Sequence, residues 1–297
     1  MKNKILITGG TGLLGKALIE TNSDADIAAV YIGAYHMQDS GRVIYHKADI
    51  RNKDEMREVF AKAKPQVVIH TAGIANVDYC ERNYQEAHDS NVHGTRIMAE
   101  LCREYSAKPV FISTNAVFDG KSAPYSEESA PSPINTYGKM KLEGEKIVRE
   151  SGLKYLIVRP ILMYGWNNSH ERSNVVTWLI DKLGKGEKVN MVNDVYENPL
   201  FSRHCAEIIW SLADSGKEGL YHVAGKDVVN RFEFANLIAE VFSLDKNLIK
   251  AVTSDFFTNL APRPSNTSYS MAKVEKELNI KLPGLRESLS LMRRTKE

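Results

Sequence analysis

Short apolar runs alternate with longer amphipathic segments through the first half of the chain. The runs predict β-strands, at residues 4–8, 26–32, 42–46, 66–70, 109–114 and 155–160. The segments between them predict helices, at residues 13–20, 53–63, 83–105 and from residue 137 onward. The strands are apolar at nearly every position, as in a sheet that helices cover on both faces. The pattern therefore predicts an α/β fold, a doubly wound parallel sheet.

After residue 160 the pattern becomes irregular. Turn-rich segments separate helical stretches predicted near residues 171–184, 203–213, 231–242 and 271–278. This change predicts a division of the chain into residues 1–160, which form the sheet, and residues 161–297, which form mainly a smaller, mixed lobe. The prediction allows some segments of residues 161–297 to pack as part of the sheet domain.

Composition and charge exclude several classes of protein. The chain has 297 residues, 43% of them hydrophobic, which is enough for a large core. Its 39 basic and 37 acidic residues leave a net charge of +2 without a Lys/Arg run, so we expect no nucleic-acid partner. No apolar run is long enough for a signal peptide or a membrane span, so we expect a cytoplasmic protein with no membrane partner. Widely spaced cysteines and the absence of a His-x-x-x-His pair favour reduced thiols and no metal site.

A glycine-rich loop, TGGTGLLGKAL, joins the first predicted strand to the first helix. Glycine allows a tight turn and a close approach of backbone N–H groups to a pyrophosphate, whose charge the helix N-terminus favours. The glycine spacing alone is also compatible with an ordinary turn, but its place at this junction predicts a dinucleotide-binding Rossmann domain in residues 1–160. The predicted cofactor-binding residues of the loop are Gly9, Thr11, Gly12, Leu13, Leu14 and Gly15.

The choice between NAD and NADP depends on the end of the second predicted strand. Residues 27–38 contain no acid to bind a ribose 2′-hydroxyl and no arginine or lysine to bind a 2′-phosphate. The polar candidates are Tyr31, Tyr35 and His36. Because the acid that usually rejects a 2′-phosphate is absent, the sequence favours NADP slightly, with NAD as the alternative.

Two further strand ends are expected to face the cofactor. Asp49 and Ile50 follow the third predicted strand, where the carboxylate can accept a hydrogen bond from the adenine amine. The alternative is that Asp49 caps the helix that begins near Asn52. Ala72 and Gly73 follow the fourth strand, at the edge of a parallel sheet where ligands bind.

Tyr137 and Lys141 lie four residues apart in the segment INTYGKMKLEGEK, so on a helix they share one face. A neighbouring ammonium favours ionisation of a phenol, whose ordinary pKa is about 10. The pair is suited to protonating a carbonyl oxygen while a nicotinamide delivers hydride, and Thr114, beside Ser113 at the end of the fifth strand, adds a hydroxyl. The alternative is a solvated lysine beside a half-buried tyrosine. The same spacing recurs at Tyr269 and Lys273, which we interpret as helix surface.

These motifs resemble the extended short-chain dehydrogenase/reductase superfamily, which has Thr-Gly-x-x-Gly-x-x-Gly, a strand-end Ser/Thr and Tyr-x-x-x-Lys. Within it, the chain looks most like the dTDP-4-dehydrorhamnose reductases, through STNAVFDG (113–120), SPINTYGKMKLEGE (132–145), GLYHVAG (219–225) and RPSNTSYSMAK (263–273). The resemblance implies a catalytic trio of Thr114, Tyr137 and Lys141, with Lys141 also holding the nicotinamide ribose. It implies a supporting role in proton relay and cofactor binding for Asn91, which from the residues alone is a local hydrogen-bonding group.

The resemblance also implies a substrate site, part of which lies in the second lobe. Asn115 and Ala116 replace an acid and an aromatic residue that many of these reductases have, and Leu162 stands where a tryptophan is frequent. The candidate substrate-binding residues are Asn115, Asn198 and Arg263. The alternative for Arg263 is a salt bridge in a rigid loop.

We therefore expect an NAD(P)H-dependent reductase of a nucleotide-activated 4-keto-6-deoxy sugar. Dehydration is disfavoured because neither Asn115 nor Ala116 transfers protons at neutral pH. An epimerase remains an alternative because it uses the same trio. A non-catalytic, NADP-binding regulatory subunit, like the relatives that accompany methionine adenosyltransferase, is another. The oligomeric state is open, with a homodimer as one alternative.

Overall fold

The structure is a computed structural model that describes residues 3–22, 24–33, 37–168 and 172–295. The strands in the described residues are β1 (Lys4–Thr8), β2 (Asp26–Tyr31), β3 (Val43–Lys47), β4 (Val67–His70), β5 (Lys108–Ile112), β6 (Leu156–Pro160), β7 (Met163–Tyr164), β8 (Val189–Val192), β9 (Tyr196–Glu197), β10 (Leu200–Phe201), β11 (Gly219–Val223), β12 (Val229–Asn230) and β13 (Ile249–Val252). The α-helices are α1 (Leu13–Thr21), α2 (Lys53–Ala63), α3 (Val77–Arg82), α4 (Tyr84–His88), α5 (Gly94–Glu104), α6 (Thr136–Arg149), α7 (Val175–Gly184), α8 (Ser202–Asp214), α9 (Arg231–Val241), α10 (Ala272–Leu278) and α11 (Leu285–Arg294).

A seven-stranded parallel sheet forms the centre of the fold, in the order β11-β6-β5-β4-β1-β2-β3. Its central strands are apolar because helices cover both faces, and Leu6, Ile7, Val68 and Ile69 are fully buried. The strand order reverses between β1 and β4, the point at which open parallel sheets bind ligands beyond their carboxyl ends. The predicted fold class is confirmed.

The seventh strand, β11, comes from the second half of the chain and pairs with β6. The alternation of strands and helices did not predict it, because a histidine interrupts its apolar run. His222 is nevertheless fully buried, with its ring stacked 3.9 Å from that of Tyr269. Helix α8 also packs on α1, where the Trp210 indole donates a hydrogen bond to the Leu18 carbonyl at 3.1 Å. Segments beyond residue 160 thus contribute to the sheet domain, and the boundary at residue 160 stays a prediction.

The smaller lobe has its own core. Parallel strands β8 and β13 and the antiparallel pair β9 and β12 lie with helices α7, α9 and α11 around buried aromatic and aliphatic side chains. They include Tyr164, Phe201, Phe234 and Ile238. Helix α7 starts at Val175, later than the predicted 171, and residue 171 itself lies outside the described residues.

Two predicted segments differ from the structure. The helix predicted over residues 83–105 is divided into α4, a π-helical turn at Asp89–His93 and α5, and the separate helix α3 precedes it. The second Tyr-x-x-x-Lys is not helix surface. Tyr269 precedes α10, is 4% exposed and bridges to Tyr125, while the Lys273 ammonium lies 4.2 Å from the centre of the Tyr221 ring. In the described parts of the chain, no helix combines the length and the apolarity that a membrane span requires.

Candidate active site

The glycine loop lies tightly against the carboxyl ends of β1 and β4. Gly9 has φ +70°, and a Cβ there would lie 2.7 Å from the Thr71 hydroxyl oxygen. A Cβ on Gly15 would lie 2.1 Å from the Gly9 carbonyl oxygen, so only glycine lets α1 start so close to the strand. The loop thereby brings its backbone and the N-terminus of α1 to one surface. The residues present fit the pyrophosphate of a dinucleotide.

A cavity of about 1080 Å³ extends from this loop, past the ends of β4 and β5, to the smaller lobe. Most of the predicted site residues line it, from the glycine loop at one end to Arg263 at the other. The predicted residues that line it are Gly9, Thr11, Gly12, Leu13, Leu14, Asp49, Ile50, Ala72, Gly73, Asn91, Thr114, Asn115, Tyr137, Lys141 and Arg263. Gly15 and Asn198 do not, since Gly15 packs within the loop and Asn198 is buried in the smaller lobe.

At the adenosine end, Asp49 is paired with Arg51. The Arg51 guanidinium donates to both carboxylate oxygens, at 2.6 to 3.0 Å, and these bonds lower the Asp49 pKa. The proposed cap role of Asp49 is wrong, because the Asn52 side chain caps α2 by accepting from Asp54 N and Glu55 N. Tyr31 lines this end of the cavity. Tyr35 and His36 lie outside the described residues.

Asn91 lies in the π-helical turn and holds the chain just after Gly73. Its Oδ1 accepts from Ile74 N at 2.8 Å and its Nδ2 donates to Ile74 O at 3.0 Å. A Cβ on Gly73 would lie 2.5 Å from Asn91 Oδ1, so this glycine is required for the contact. The bonds place Asn91 as a local hydrogen-bonding group beside the cavity, and its part in a proton relay stays a prediction.

Helix α6 brings Tyr137 to Thr114. The Asn135 side chain caps the helix by accepting from Gly138 N at 2.8 Å. A Cβ on Gly138 would lie 2.1 Å from the Ala116 carbonyl oxygen, so this glycine lets the first turn of α6 lie directly on the turn that follows Thr114. The Thr114 hydroxyl is close enough to the Tyr137 phenol as a result to act on its pKa.

Burial decides the protonation states of Tyr137 and Lys141. It raises the pKa of Tyr137 to about 12, although Thr114 opposes the shift. Burial lowers the pKa of Lys141 to about 8, and the charge of Glu145 opposes that shift. The sequence predicted a phenol that the lysine makes more acidic. Instead, the phenol is firmly protonated near neutral pH and is suited to donating a proton.

Strands β4 and β5 place Phe111 and His70 behind the site. The Lys141 ammonium lies 4.2 Å from the centre of the Phe111 ring, a cation–π contact. His70, at the end of β4, hydrogen-bonds the hydroxyl oxygens of Thr8 and Thr95. Burial, with a further contribution from the charge of Lys141, lowers the His70 pKa to about 3. His70 is therefore neutral near pH 7, and Lys141 is the charged group of this pair.

At the substrate end, Asn115 belongs to a polar cluster that sequence reasoning missed. Its Nδ2 donates to Glu197 Oε1 at 3.0 Å and to Thr267 Oγ1 at 2.7 Å. The Arg231 guanidinium lies 2.6 Å from Glu197 Oε2. Glu197 and Arg231 both line the cavity, and the sequence did not single them out because their pairing joins segments that lie 34 residues apart.

The other two candidate substrate residues already have protein partners. The Arg263 guanidinium pairs with both oxygens of Asp78, at 2.7 and 3.0 Å, and also donates to the Ala261 carbonyl. The salt bridge that was the alternative interpretation of Arg263 is therefore present, and Arg263 also lines the cavity. The Asn198 side chain accepts from Tyr269 N at 2.9 Å, which makes it a contact within the protein interior. Leu162 lines the cavity.

Comparison with known proteins agrees with the fold. A family model, that of the RmlD substrate binding domain, matches residues 2–296. Methionine adenosyltransferase 2 subunit beta of Rattus norvegicus is 30% identical over 278 residues, which cover 92% of this chain and 81% of that protein. The probable low-salt glycan biosynthesis reductase Agl14 of Haloferax volcanii is 30% identical over 291 residues, which cover 96% of each protein. A dTDP-4-dehydrorhamnose reductase structure from Bacillus anthracis, in complex with NADP, has a TM-score of 0.88 at 29% identity and covers 99% of each chain.

The family match includes the glycine loop, the parallel sheet and the smaller lobe, and it confirms the resemblance seen in the sequence. The chain therefore belongs to the RmlD substrate-binding-domain family, within the extended short-chain dehydrogenase/reductase superfamily.

Proposed function

We propose that this protein is an NAD(P)H-dependent reductase of a nucleotide-activated 4-keto-6-deoxy sugar. The observation that supports this most is the meeting of Thr114, Tyr137 and Lys141 in the middle of the cavity that begins at the glycine loop. The similar reductase from Bacillus anthracis was solved with NADP. Residues 27–33, which include the end of β2, contain no acidic side chain that would repel a 2′-phosphate. We therefore favour NADP, with NAD as the alternative.

The side chains of the site divide the work of carbonyl reduction. A bound reduced nicotinamide supplies the hydride. Tyr137 Oη, protonated near neutral pH, donates its proton to the carbonyl oxygen of the substrate, and the Thr114 hydroxyl hydrogen-bonds the same oxygen. The Lys141 ammonium stabilises the negative charge that Tyr137 acquires as it releases its proton. The buried setting strengthens each of these interactions.

The outer part of the cavity suits an anionic, hydroxylated substrate. Arg172, Arg231 and Arg263 line it, and guanidinium groups bind diphosphates well. Asn115 lies next to Thr114, where a sugar ring would lie once its carbonyl reached Tyr137. Asn115 and Ala116 hold no titratable group, so neither can serve as the acid or the base that expulsion of water requires.

The test is the Tyr137→Phe variant. Loss of the general acid should lower kcat about 10²- to 10⁴-fold. The dissociation constant for NADPH, followed by nicotinamide fluorescence, should stay within about twofold because the phenyl ring is retained. Tyr84→Phe removes a hydroxyl from an exposed tyrosine and is the control. Unchanged turnover in Tyr137→Phe would remove Tyr137 as the proton donor.

A second candidate function follows from the similarity to methionine adenosyltransferase 2 subunit beta, which covers 92% of this chain. A regulatory subunit would keep the fold and the cofactor site and use them to bind a partner protein. The two functions differ in one assay, oxidation of NADPH with a panel of nucleotide-linked 4-keto sugars. Tight NADPH binding without turnover of any sugar would favour the regulatory subunit.

A further inference from the structure

A buried ionic network lies directly behind the candidate catalytic residues. At its centre is Glu145 on α6, whose side chain is entirely buried. Oε1 accepts from Ser113 Oγ at 2.5 Å and from Arg159 Nε at 2.7 Å. Oε2 accepts from the Nη2 atoms of Arg159 at 2.8 Å and Arg149 at 2.9 Å. The carboxylate is thus held at both oxygens by groups from β6, from α6 and from the residue that follows β5.

The position of Glu145 connects it to both halves of the site. It follows Lys141 by four residues, so it lies one helical turn further along the same face of α6. Its partner Ser113 is the residue before Thr114. A single carboxylate therefore contacts the chain that presents the Thr114 hydroxyl and lies behind the lysine that faces the cavity.

Packing leaves little freedom around this network. A Cβ on Gly144 would lie 2.6 Å from the tip of the Phe111 ring, so the glycine lets α6 lie directly on the ring that faces the Lys141 ammonium. Arg159 is 1% exposed, and its Nη1 lies 3.4 Å from the buried His222 Nε2. The network thus reaches from α6 to the edge strand β11.

Stability alone is a weak reason for such an arrangement. Removing charges from water is costly, and apolar side chains of similar volume often replace a buried ion pair without loss of stability. The function of a carboxylate here is better sought in Lys141, one helical turn earlier, whose ammonium is buried and on whose pKa the charge of Glu145 acts.

We propose that Glu145 is a positioning residue, which holds Ser113, and with it Thr114, at the end of β5 and places a negative charge one helical turn behind Lys141. The catalytic consequence rests on the proposed function, whereas the effect on Lys141 does not.

The charged and titratable groups around Lys141 support this role. Tyr137, on the same helix, is uncharged near neutral pH, as is His70 on β4. Cys80 on α3 interacts electrostatically with Tyr137. Burial raises the pKa of the Cys80 thiol to about 11, so this thiol is also neutral near pH 7. From β5, Lys141 meets the Phe111 ring. Glu145 is the anion that acts on Lys141, although its own charge is shared with Arg159 and Arg149.

The test is Glu145→Gln, which removes the charge and keeps the size of the side chain. Glu143→Gln, two residues earlier and exposed, removes the same charge from the same helix and is the control. The readout is the titration midpoint of Lys141, measured by carbon-13 NMR on lysine labelled at Cε, with the signal identified by its loss in Lys141→Met. We expect a midpoint near pH 8 in the parent protein and in Glu143→Gln. In Glu145→Gln the midpoint should be lower by about one pH unit or more, because the anion that favours the charged lysine is gone. An unchanged midpoint in Glu145→Gln would overturn the proposal.

A second pair of variants covers the case in which Glu145→Gln leaves Arg159 unpaired and does not fold. Arg159→Met and the double variant Glu145→Gln/Arg159→Met differ only in the carboxylate. The Lys141 midpoint must be lower in the double variant, and equal midpoints would contradict the proposal. Loss of folded structure in Glu145→Gln and in the double variant would show a purely structural role and would also overturn it.

The same experiments separate this inference from the proposed function. In the reduction assay, the alkaline limb of the kcat profile should move to lower pH in Glu145→Gln and stay in place in Glu143→Gln. If the Lys141 midpoint shifts but no keto sugar is reduced by the parent protein, the positioning role stands and the proposed function fails. If the parent protein is active and the midpoint does not shift, the proposed function stands and the positioning role fails.

Discussion

The cap of α6 supports a prediction in which stability and activity change together. Asn135 is 2% exposed and makes two hydrogen bonds: its Oδ1 accepts from Gly138 N at 2.8 Å, and its Nδ2 donates to Pro262 O at 3.0 Å. Asn135→Ala removes both. Since Tyr137 lies in the first turn that this cap closes, we expect the variant to loosen the proton donor and to release the loop beside Arg263.

The magnitude follows from the two bonds. Loss of an N-cap side chain costs about 1 kcal/mol, within a range of about 0.5–2 kcal/mol. Loss of the hydrogen bond to Pro262 costs about 1 kcal/mol more. The sum is about 2 kcal/mol of unfolding free energy. Asn52→Ala is the matched control, because Asn52 caps α2 by accepting from Asp54 N and Glu55 N at an exposed position that does not line the cavity, so it should cost about 1 kcal/mol.

Urea unfolding and the reduction assay together test this reasoning. The free energy of unfolding is obtained from the urea midpoint and slope of each variant. For activity, a displacement of about 1 Å at Tyr137 should lower kcat/KM by about 10- to 100-fold in Asn135→Ala. Asn52→Ala should keep the kcat/KM of the parent protein. Equal losses of stability in the two variants, or full activity in Asn135→Ala, would refute the assigned role of this cap.

Three further predictions follow from the geometry. Gly138→Ala should destabilise the protein by at least about 1–3 kcal/mol in urea unfolding, because its Cβ would lie 2.1 Å from the Ala116 carbonyl oxygen, whereas Gly184→Ala, with open space around it, should not. The pKa of Lys141 is lowered from 10.5 to about 8 in the folded state, so its charge is lost above about pH 8. Because the unfolded lysine keeps its proton up to about pH 10.5, stability should rise with pH between these values, and this rise should be absent in Lys141→Met. A thiol-specific disulfide reagent at pH 8 should modify no cysteine in the native protein and three in urea. The reason is that all three cysteines are buried in the folded state, which raises the pKa of Cys80, Cys102 and Cys205.

Several elements of the fold were readable from the chain because their signals are local. The apolar runs predicted six strands of the sheet, and the glycine spacing located the cofactor loop between β1 and α1. The four-residue spacing of Tyr137 and Lys141 placed both side chains on one face of α6. Each of these depends on contacts within a few residues, or within one strand–helix unit, so local residue patterns are sufficient.

Other features were beyond such patterns because they depend on burial by distant parts of the chain. His222 makes β11 look polar, yet its stacking on Tyr269 buries it. Asn198 looked like a substrate ligand, but Tyr269 N occupies its side-chain oxygen. The expected acidification of Tyr137 by Lys141 also failed, because burial of the phenol outweighs the opposing interactions and raises its pKa.

The sequence by itself determined six of the seven sheet strands, the cofactor loop and the order of Thr114, Tyr137 and Lys141. Only the tertiary structure decided which groups surround them. Asn115 meets Glu197 across 82 residues of chain and Thr267 across 152, and Glu145 takes Arg159 and Ser113 as partners from two other segments. The physical reason is that charge states and hydrogen-bond partners in a buried site follow from the loss of water. Which side chains lose it is settled only when distant segments pack together.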